Sequence, residues 1–471
     1  MSSPFGIDGE SIVKAIYGTI GRIAGRGGNM AIDAIGAKIQ KDKYEKTKRE
    51  RGEEETHKIN PPPPDVLLYE KIHGFFFGQY QDRYVRKPEY ADGHIVVVGG
   101  IGSGKSSCLA IPTCRGWEKR LFAIDIKGEL YEKSKHRRPH TKVLDPFSDT
   151  AYGYDPFYIL KDGNNPAQTA REIALAIIPT PPDIKDPFWI ESAQNIFTAA
   201  ILHFYNLGYD FLQTVQAVLE TPADDLMDEI AGSKTRAARL MVTNFVNADD
   251  KMLSSIIAEL SRHIMIFATD ESLMSCLSRR NNITPPDLEK GYDIFIQIPE
   301  KLLRQWKGFL TLIVNQFLSF FEQREEATAT PILFLLDEFP RLGKIPSIMD
   351  ALATLRAKKI TISLLIQDLS QLDYIYGREA RRVIMGTCPY QAVLSVADGE
   401  SQEYFSRLTG TYEKGIESDS INAGTLGRGA TTGKGTTAQE RRKIKPEEFG
   451  TNQDVILFTP QGFSKCKKLH Y

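Results

Sequence analysis

Cysteine is scarce in this sequence of 471 residues. The cysteines include no Cys-x-x-Cys pair and no spacing to histidine of the kind that zinc ligands have. This usage excludes a disulfide-rich secreted scaffold, argues against structural zinc and predicts a protein of the reducing cytoplasm. The five cysteines are Cys108, Cys114, Cys276, Cys388 and Cys466.

Long apolar runs are also missing. No stretch of 18 consecutive apolar residues occurs, so the sequence predicts no transmembrane helix. The nearest candidate, residues 12–39, is interrupted by charged side chains such as Lys14, Arg22 and Asp33. Two interpretations of this segment are open: an amphipathic helix at a membrane surface, or an ordinary helix of a soluble protein.

An excess of charge of one sign is absent as well. The net charge is −1 although 25% of the residues are charged, so no global basic field indicates nucleic acid as a partner. Any contact with nucleic-acid phosphates would have to be local. One such cluster, which could equally be a solvated face, consists of Lys119, Arg120, Lys133, Lys135, Arg137, Arg138 and Lys142.

Composition changes sharply before residue 66. Residues 41–58 are almost all charged, and Pro61 to Pro64 follow as a stiff extended spacer. We therefore expect residues 1–65 to form a soluble N-terminal appendage with a charged, proline-containing linker. The chain is also longer than a single hydrophobic core usually supports, so a domain with an insertion, or two domains, is expected.

A phosphate-binding motif is present at residues 96–109, VVVGGIGSGKSSCL. The apolar run 95–98 predicts a strand, and the spacing of the glycines, lysine and serine after it is that of the P-loop of nucleotidases. Glycines allow successive backbone N–H groups to turn toward phosphate oxygens, and the helix that follows adds its positive end. The predicted cradle is Gly99, Gly100, Ile101, Gly102, Ser103, Gly104, Lys105, Ser106 and Ser107.

Roles follow from the residue types in this motif. Lys105 is expected on the β- and γ-phosphates of the nucleotide, and the Ser106 hydroxyl on Mg²⁺. A glycine-rich turn that merely contains a lysine is the alternative, and the strand before and the helix after argue against it.

A second motif follows the buried run 332–336, where Asp337 and Glu338 end the strand. A carboxylate at this place coordinates Mg²⁺, and its neighbour polarises the attacking water. Apolar residues followed by Asp-Glu are a weak signal alone. The P-loop strengthens it, because magnesium held by Ser106 needs such a carboxylate.

Two further residues depend on position in the predicted sheet. Gln367 ends the buried strand that starts at residue 360, where an amide could donate to and accept from the γ-phosphate or its water; a glutamine that simply ends a strand is the alternative. Arg356 is expected in the helix before that strand, outside the pocket of its own subunit. It is either a surface arginine or a group that serves a neighbour's nucleotide.

Strand and helix patterns alternate along the chain. Strands near 120–125 and 141–147 form a βαβ unit with a parallel sheet, and strand patterns return after residue 281. Residues 166–280 have a helical pattern between these parts. The prediction is an α/β fold with a nucleotide-binding domain in two parts, 66–165 and 281–471, and an inserted all-α domain, 166–280.

Residues 422–437 are rich in glycine and threonine. A flexible surface loop is the default expectation for such composition. A loop that contacts substrate or partner is the alternative.

Together, the segments GHIVVVGGIGSGKSS, FAIDIKGELYE, VLDPF, FLLDEFPRLGKIP and ISLLIQDLSQL resemble the coupling proteins of type IV secretion and conjugative DNA transfer. That family consists of hexameric, RecA-type motor ATPases with an inserted all-α domain, and the similarity covers residues 75 to 471. The resemblance implies ATP and Mg²⁺ as cofactors, hydrolysis coupled to translocation, a sensor role for Gln367 and a trans-acting role for Arg356.

The resemblance also implies partners. They are DNA, bound without sequence preference, or secreted protein substrates, together with a relaxase, components of the secretion channel and further copies of the chain in a homo-hexamer. Members of the family typically carry N-terminal transmembrane helices, which this sequence lacks. Three arrangements are therefore expected as alternatives. A separate partner anchors the protein to the membrane, the protein docks peripherally at the cytoplasmic face of the membrane, or it functions without a membrane.

Three functions stay open on the sequence. The first is a coupling ATPase that delivers relaxase-bound single-stranded DNA or proteins to a secretion channel. The second is a cytosolic DNA translocase for packaging or segregation. The third is a nucleotide-dependent receptor scaffold that gathers substrates.

Overall fold

A computed structural model describes residues 60–162, 165–181, 184–325, 329–422 and 431–470. The chain divides into two units, Met1–Pro61 and Pro62–Tyr471, and nearly all described residues belong to the second. The predicted segment 12–39 and most of the predicted appendage, residues 1–65, lie outside the described residues. Among the described residues, no helix is both long enough and apolar enough to cross a membrane.

The centre of the second unit is a nine-stranded sheet with the order β14-β13-β10-β4-β9-β8-β5-β7-β6. All neighbours from β10 to β6 pair in parallel, whereas β13 is antiparallel to both β10 and β14. The predicted α/β fold with a mostly parallel sheet is thus confirmed. The strands of this sheet are β4 (Ile95–Val98), β5 (Arg120–Asp125), β6 (Thr141–Leu144), β7 (Asp293–Gln297), β8 (Ile332–Leu336), β9 (Ile360–Ile366), β10 (Tyr390–Val393), β13 (Val455–Thr459) and β14 (Gly462–Cys466).

The central strands are buried because helices cover both faces of the sheet. Every residue of β4, β8 and β9 is buried, as expected for parallel strands, which read as continuous apolar runs. The ring of Phe122 in β5 lies 5.0 Å from that of Phe334 in β8 and 4.6 Å from that of Phe317 in a covering helix. This packing fixes the register of the strands whose ends carry the candidate site.

Short helices follow the first strands, and a run of helices separates β6 from β7. The P-loop leads into a π-helical segment, Lys105–Ala110, which continues as α1. The helices before β7 are α1 (Ile111–Gly116), α2 (Glu129–Ser134), α3 (Pro166–Ile177), α4 (Phe188–Asn206), α5 (Phe211–Glu220), α6 (Ala223–Ala231), α7 (Arg236–Val242), α8 (Asp250–Thr269), α9 (Glu271–Leu277) and α10 (Pro286–Glu289).

The helices α3 to α9 share a core with the sheet. One hydrophobic cluster includes Ile173 of α3, Phe197 of α4 and Phe334 of β8, and the Trp306 indole N–H donates to Asp270, the N-cap of α9, over 3.2 Å. The inserted all-α domain stays a prediction, with its helices located where the sequence pattern put them. The later helices are α11 (Lys307–Glu322), α12 (Ile348–Thr354), α13 (Leu369–Tyr376), α14 (Arg378–Thr387), α15 (Gly399–Leu408) and α16 (Pro446–Gly450).

The described residues also form two small sheets. The first has the order β1-β3-β2, and the second pairs β11 with β12 as a long antiparallel ribbon. Their strands are β1 (Leu68–Tyr69), β2 (Phe75–Tyr80), β3 (Arg83–Lys87), β11 (Thr411–Asn422) and β12 (Thr431–Arg442).

The ribbon corrects one expectation. The loop predicted for residues 422–437 is wrong for 431–437, which pair with β11 in the register Thr432↔Ile421 and Thr436↔Glu417. Threonine favours extended backbone, and this preference outweighs the glycines that indicated a loop. Residues 423–430 lie outside the described residues.

Candidate nucleotide-binding site

The P-loop begins where β4 ends, at the carboxyl edge of the parallel strands. The Gly99 amide donates to the carbonyl of Ile366 over 3.1 Å, and the Gly100 amide donates to that of Ser395 over 2.7 Å. Both acceptors lie at the ends of the strands that flank β4. The neighbouring strands therefore hold the start of the loop in place.

Glycine is required at several positions of this loop. Gly102 and Gly104 have φ angles of +73° and +99°, a region that L side chains rarely adopt. A Cβ atom at Gly99 would lie 2.5 Å from Ser103 Oγ, and one at Gly104 would lie 2.7 Å from Cys108 Sγ. Side chains at Gly99 and Gly104 would therefore clash with Ser103 and Cys108, and the loop could not keep this backbone course.

Lys105 begins the helix that follows the loop, and its side chain folds back over it. The Nζ atom donates to the carbonyl of Gly99 over 2.5 Å and to that of Gly100 over 3.4 Å. Burial lowers the pKa of the Lys105 amine, and the nearby carboxylates of Glu338 and Asp337 oppose that shift. The lysine therefore lies between the P-loop and the two acidic side chains predicted from the second motif.

The acidic pair follows β8 directly. Asp337 is buried, and its Oδ1 accepts a hydrogen bond from the Glu338 amide over 3.0 Å. Burial, with the Glu338 charge beside it, raises the pKa of Asp337 to about 6. Glu338 has a φ angle of +49°, and a non-glycine residue in this region is a local strain that functional sites often retain.

Gln367 follows β9, the strand between β4 and β8. Its Nε2 atom donates to Glu338 Oε2 over 2.9 Å, and its Oε1 atom accepts from Gln371 Nε2 over 3.2 Å. The structure therefore brings together three groups that the sequence only placed at strand ends: Lys105, the Asp337–Glu338 pair and Gln367.

These residues fit a magnesium nucleotide. The loop has the glycines that a close phosphate approach needs, and the Ser103 hydroxyl is buried without a hydrogen-bond partner among the described residues. A buried, unpaired oxygen and a carboxyl group whose ionisation is costly are both features that a bound ligand would satisfy. Ser106 and Asp337 would hold the metal ion, and the P-loop with Lys105 would hold the phosphates.

Asp125, at the end of β5, has a structural role in this edge of the sheet. Its carboxylate accepts hydrogen bonds from the amides of Leu130, over 3.2 Å, and Tyr131, over 2.9 Å. It thereby fixes the start of α2 in the segment FAIDIKGELYE. An aspartate at position 125 thus has a structural reason, because its carboxylate binds the first amides of the helix that follows the turn at Gly128.

Arg356 lies far from these residues. Helix α12 ends at Thr354, so the expectation that Arg356 is helical is wrong: it is exposed in the turn that enters β9. The backbone amides of Lys358 and Ile360 both donate to the carbonyl of Leu355, and these two bonds close the turn. The whole of β9, about 20 Å at the usual rise per residue, separates this turn from Gln367. Arg356 therefore cannot reach the P-loop of its own chain.

The predicted basic cluster is partly internal. Arg138 is buried, and its Nη1 atom pairs with Asp293 over 2.9 Å, while Lys142 pairs with Asp287 over 2.8 Å. These two cations stabilise the loops around β6 and β7. They are not part of a solvated face, which corrects the interpretation of the cluster as a single surface.

One wall of the site was not predicted from the sequence. A cavity of about 600 Å³ beside the P-loop is bounded on its far side by Asn452, Gln453, Lys468 and His470. These residues lie at the other end of the chain from the P-loop, and no motif or spacing connects them to it. The pairing of β13 with β10 and of β14 with β13 brings them together.

Proteins of conjugal and type IV transfer are similar to this chain in sequence. Conjugal transfer protein TraG of Rhizobium radiobacter is 26% identical over 393 residues, which cover 79% of this chain and 60% of TraG. Protein VirD4 of Agrobacterium fabrum (strain C58 / ATCC 33970) is 24% identical over 428 residues, covering 86% of this chain and 63% of VirD4. The chain thus spans less than two thirds of the length of these relatives.

Solved structures share the fold. The plasmid coupling protein TrwB in complex with the non-hydrolysable ATP analogue ADPNP matches with a TM-score of 0.68 at 18% identity, covering 86% of this chain and 91% of that one. TrwB in complex with ADP and Mg²⁺ matches with a TM-score of 0.67 at 17% identity, covering 86% and 90%.

A family model matches nearly the whole chain. It is described as type IV secretory system conjugative DNA transfer and covers residues 30–471. The match contains the P-loop, the acidic pair and Gln367, and it confirms the resemblance seen in the sequence motifs. The chain belongs to the type IV secretory system conjugative DNA transfer family.

Proposed function

We propose that this chain binds ATP with Mg²⁺ at the P-loop and hydrolyses it. The observation that carries the proposal is the convergence of Lys105, Asp337, Glu338 and Gln367 at one edge of the sheet. The backbone of Gly99 to Ser107 would hold the phosphates, and Ser106 and Asp337 the metal ion. When bound, Mg²⁺ supplies positive charge that stabilises the phosphoryl group in transfer.

The residues of the chain divide the work of hydrolysis. When a nucleotide binds, the Lys105 amine would donate to phosphate oxygens instead of to the carbonyls of Gly99 and Gly100, because it already lies above the loop. Glu338 orients the attacking water and accepts its proton. Gln367, which donates to Glu338, fixes that carboxylate and is within reach of the water it holds.

We further propose that hydrolysis drives transfer of a polymer into a type IV secretion channel. The cargo is DNA, as a relaxase-bound single strand, or a protein substrate, and the active form is a homo-hexamer. Family membership and the TrwB-like fold support this proposal. DNA contacts would go to phosphates, which give affinity without sequence choice. Channel components and a membrane-anchor partner would complete the assembly.

The experiment is an ATPase assay with purified protein, with and without single- and double-stranded DNA, combined with particle imaging. We expect turnover in the wild type, stimulation by DNA and hexameric rings. Glu338→Gln is the matched control, because it leaves the P-loop intact. Turnover equal in wild type and Glu338→Gln would overturn the ATPase proposal.

Cargo and channel are tested separately. Capture of a relaxase or of a channel ATPase by the tagged chain in cells is the expected result for a coupling protein. Strong translocation on duplex DNA without either partner would favour a cytosolic DNA translocase instead. A turnover that DNA does not change would favour protein cargo.

A further inference from the structure

The segment Lys467–His470 lies against the P-loop because of the strand directions. β14 is antiparallel to β13, and β13 is antiparallel to β10, so β14 runs in the same direction as β4. The chain therefore leaves β14 at the carboxyl edge of the sheet, where the P-loop begins.

This segment is held at both ends. Lys467 exchanges two backbone hydrogen bonds with Gln79 of β2, of 3.0 and 2.7 Å. Three residues later, His470 Nδ1 lies 3.2 Å from Cys108 Sγ, in the first turn of the helix that Lys105 begins. A bridge to one sheet and a contact to the P-loop helix fix the course of the backbone between them. The segment Lys467–His470 therefore has a defined position at one side of the pocket.

The cavity between this wall and the P-loop has the volume of a small-ligand site. It measures about 600 Å³ and touches the loop from Gly100 to Ser103, within the usual range for such sites. The acidic pair follows β8, two strands from β4 on one side, whereas β10, β13 and β14 lie on the other. The cavity also touches Gln367 and Asp368 at the end of β9, so it extends from the side of the acidic pair across the P-loop to this wall. A nucleotide whose γ-phosphate faces Glu338 has room for its nucleoside at the end of the cavity that Asn452, Gln453 and Lys468 line.

Among the described residues that line the cavity, Lys468 carries a positive charge that a ligand can use. The carboxylates of Asp368 and Asp398 cap the helices α13 and α15 by accepting from backbone amides over 3.0 and 2.8 Å. Their negative charge is thus already stabilised. Among the described residues, the hydrogen bond of Lys468 Nζ is a long one, 3.5 Å, to the carbonyl of Asn452. Partial burial lowers the pKa of its amine, and the nearby charges of Cys108 and Asp454 oppose that shift. A half-buried ammonium group with one long hydrogen bond retains donors for a ligand.

We propose that the nucleoside of the bound nucleotide occupies this cavity, where Lys468 donates a hydrogen bond to the base or ribose and Asn452 and Gln453 line the same wall. This inference rests on the proposed nucleotide binding and adds a specificity-determining residue to it. Lys468 thereby distinguishes a nucleotide from an inorganic polyphosphate, which the P-loop alone cannot do.

The test compares two ligands on three proteins. Affinities for ADP and for inorganic tripolyphosphate are measured by calorimetry with wild type, Lys468→Met and Lys467→Met. Lys467 is the control because it is the adjacent lysine and its side chain is exposed. We expect Lys468→Met to bind ADP about tenfold more weakly, the loss of one charged hydrogen bond, and tripolyphosphate as the wild type does. Lys467→Met should match the wild type with both ligands.

Other outcomes overturn the inference in distinct ways. Equal weakening of ADP and tripolyphosphate would make Lys468 a phosphate ligand, and unchanged ADP affinity would remove it from the site. Lys468→Arg should retain most of the ADP affinity, because an arginine also donates; loss as large as in Lys468→Met would indicate a packing role. Failure of wild type to bind ADP would overturn the proposed function and this inference with it.

Discussion

Gln367 Nε2 donates a hydrogen bond to Glu338 Oε2 over 2.9 Å, and this bond connects the ends of two adjacent strands, β9 and β8. Gln371, in the first turn of α13, donates through Nε2 to the Oε1 atom of Gln367 over 3.2 Å. The glutamine therefore has a fixed orientation, with its N–H groups toward the glutamate. An attacking water between Glu338 and the γ-phosphate would meet both a proton acceptor and a donor.

Gln367→Leu should bind ATP nearly as the wild type does and hydrolyse it about 10²-fold more slowly, the usual effect of removing one donor from a reacting group. Leucine is close to glutamine in size, so the loss isolates the amide. Turnover and nucleotide affinity are measured on the same preparation. Gln371→Leu, which removes only the support, should lose much less, and turnover of Gln367→Leu equal to the wild type would exclude the sensor role.

The P-loop and the acidic pair make a second prediction. Lys105→Ala should lose nucleotide affinity by about 2 kcal/mol or more, because a charged hydrogen bond to phosphate is removed. Glu338→Gln should keep the affinity and lose turnover by about 10²-fold to 10⁴-fold, because only the proton acceptor is gone. Calorimetry and a phosphate-release assay separate the two effects. Equal affinity and turnover in wild type and Lys105→Ala would contradict the site.

Much of the fold and the core of the site could be predicted because local patterns carry them. The runs at 95–98, 332–336 and 360–366 are strands in the structure at those same residues, since continuous apolar stretches bounded by glycine or acidic residues have few other buried arrangements. Parallel strands then bring their carboxyl ends to one edge. For this reason Lys105, Glu338 and Gln367 could be placed together without contact information.

The rest depends on long-range pairing or on small energy differences. The wall formed by Lys468 and His470 exists only because β14 pairs back onto the sheet, and nothing near those residues in the sequence indicates it. The turn at Arg356 follows a helix end, the least predictable part of a helix. In residues 431–437, composition favours a loop and threonine favours a strand, and the partner β11 decides between them.

Lys87 provides a prediction on stability and pH. Its side chain is fully buried, and the Nζ atom donates to the carbonyl of Ala91 over 2.5 Å and to Thr361 Oγ1 over 3.0 Å. Burial lowers the pKa of Lys87 from 10.5 to about 7. Above that value the folded state holds a neutral amine, while the unfolded chain still binds a proton there up to its own higher pKa.

The sign follows from linkage. Because the unfolded state binds more protons, the contribution of Lys87 to the free energy of unfolding rises with pH, by on the order of 4 kcal/mol from pH 7 to pH 10. Lys87→Met should lack this rise. Urea unfolding of wild type and variant across that pH range measures the difference. The exposed Lys71→Met should follow the wild type, and parallel profiles for wild type and Lys87→Met would contradict the lowered pKa.

Substitutions of Arg356 test the proposed hexameric ring. It is exposed at the edge of the sheet opposite its own P-loop, and a trans-acting arginine must lie outside the pocket of its own chain. An arginine supplied across a subunit interface stabilises charge on the transferring phosphoryl group and accelerates the reaction by about 10³-fold to 10⁵-fold. Arg356→Ala should therefore bind ATP normally and hydrolyse it poorly. Arg356→Lys, which keeps the charge but not the fork of donors, should recover only part of the turnover.

Mixing variants distinguishes the two modes of action. A ring assembled from Arg356→Ala and Lys105→Ala subunits contains interfaces that combine an intact Lys105 on one side with an intact Arg356 on the other. Those interfaces should hydrolyse ATP although neither variant does so alone. Action within one subunit forbids this rescue, because every subunit in the mixture lacks one of the two groups. If a mixed sample with demonstrated subunit exchange has no activity above the sum of its parts, Arg356 is a surface charge, and the trans-acting role is excluded.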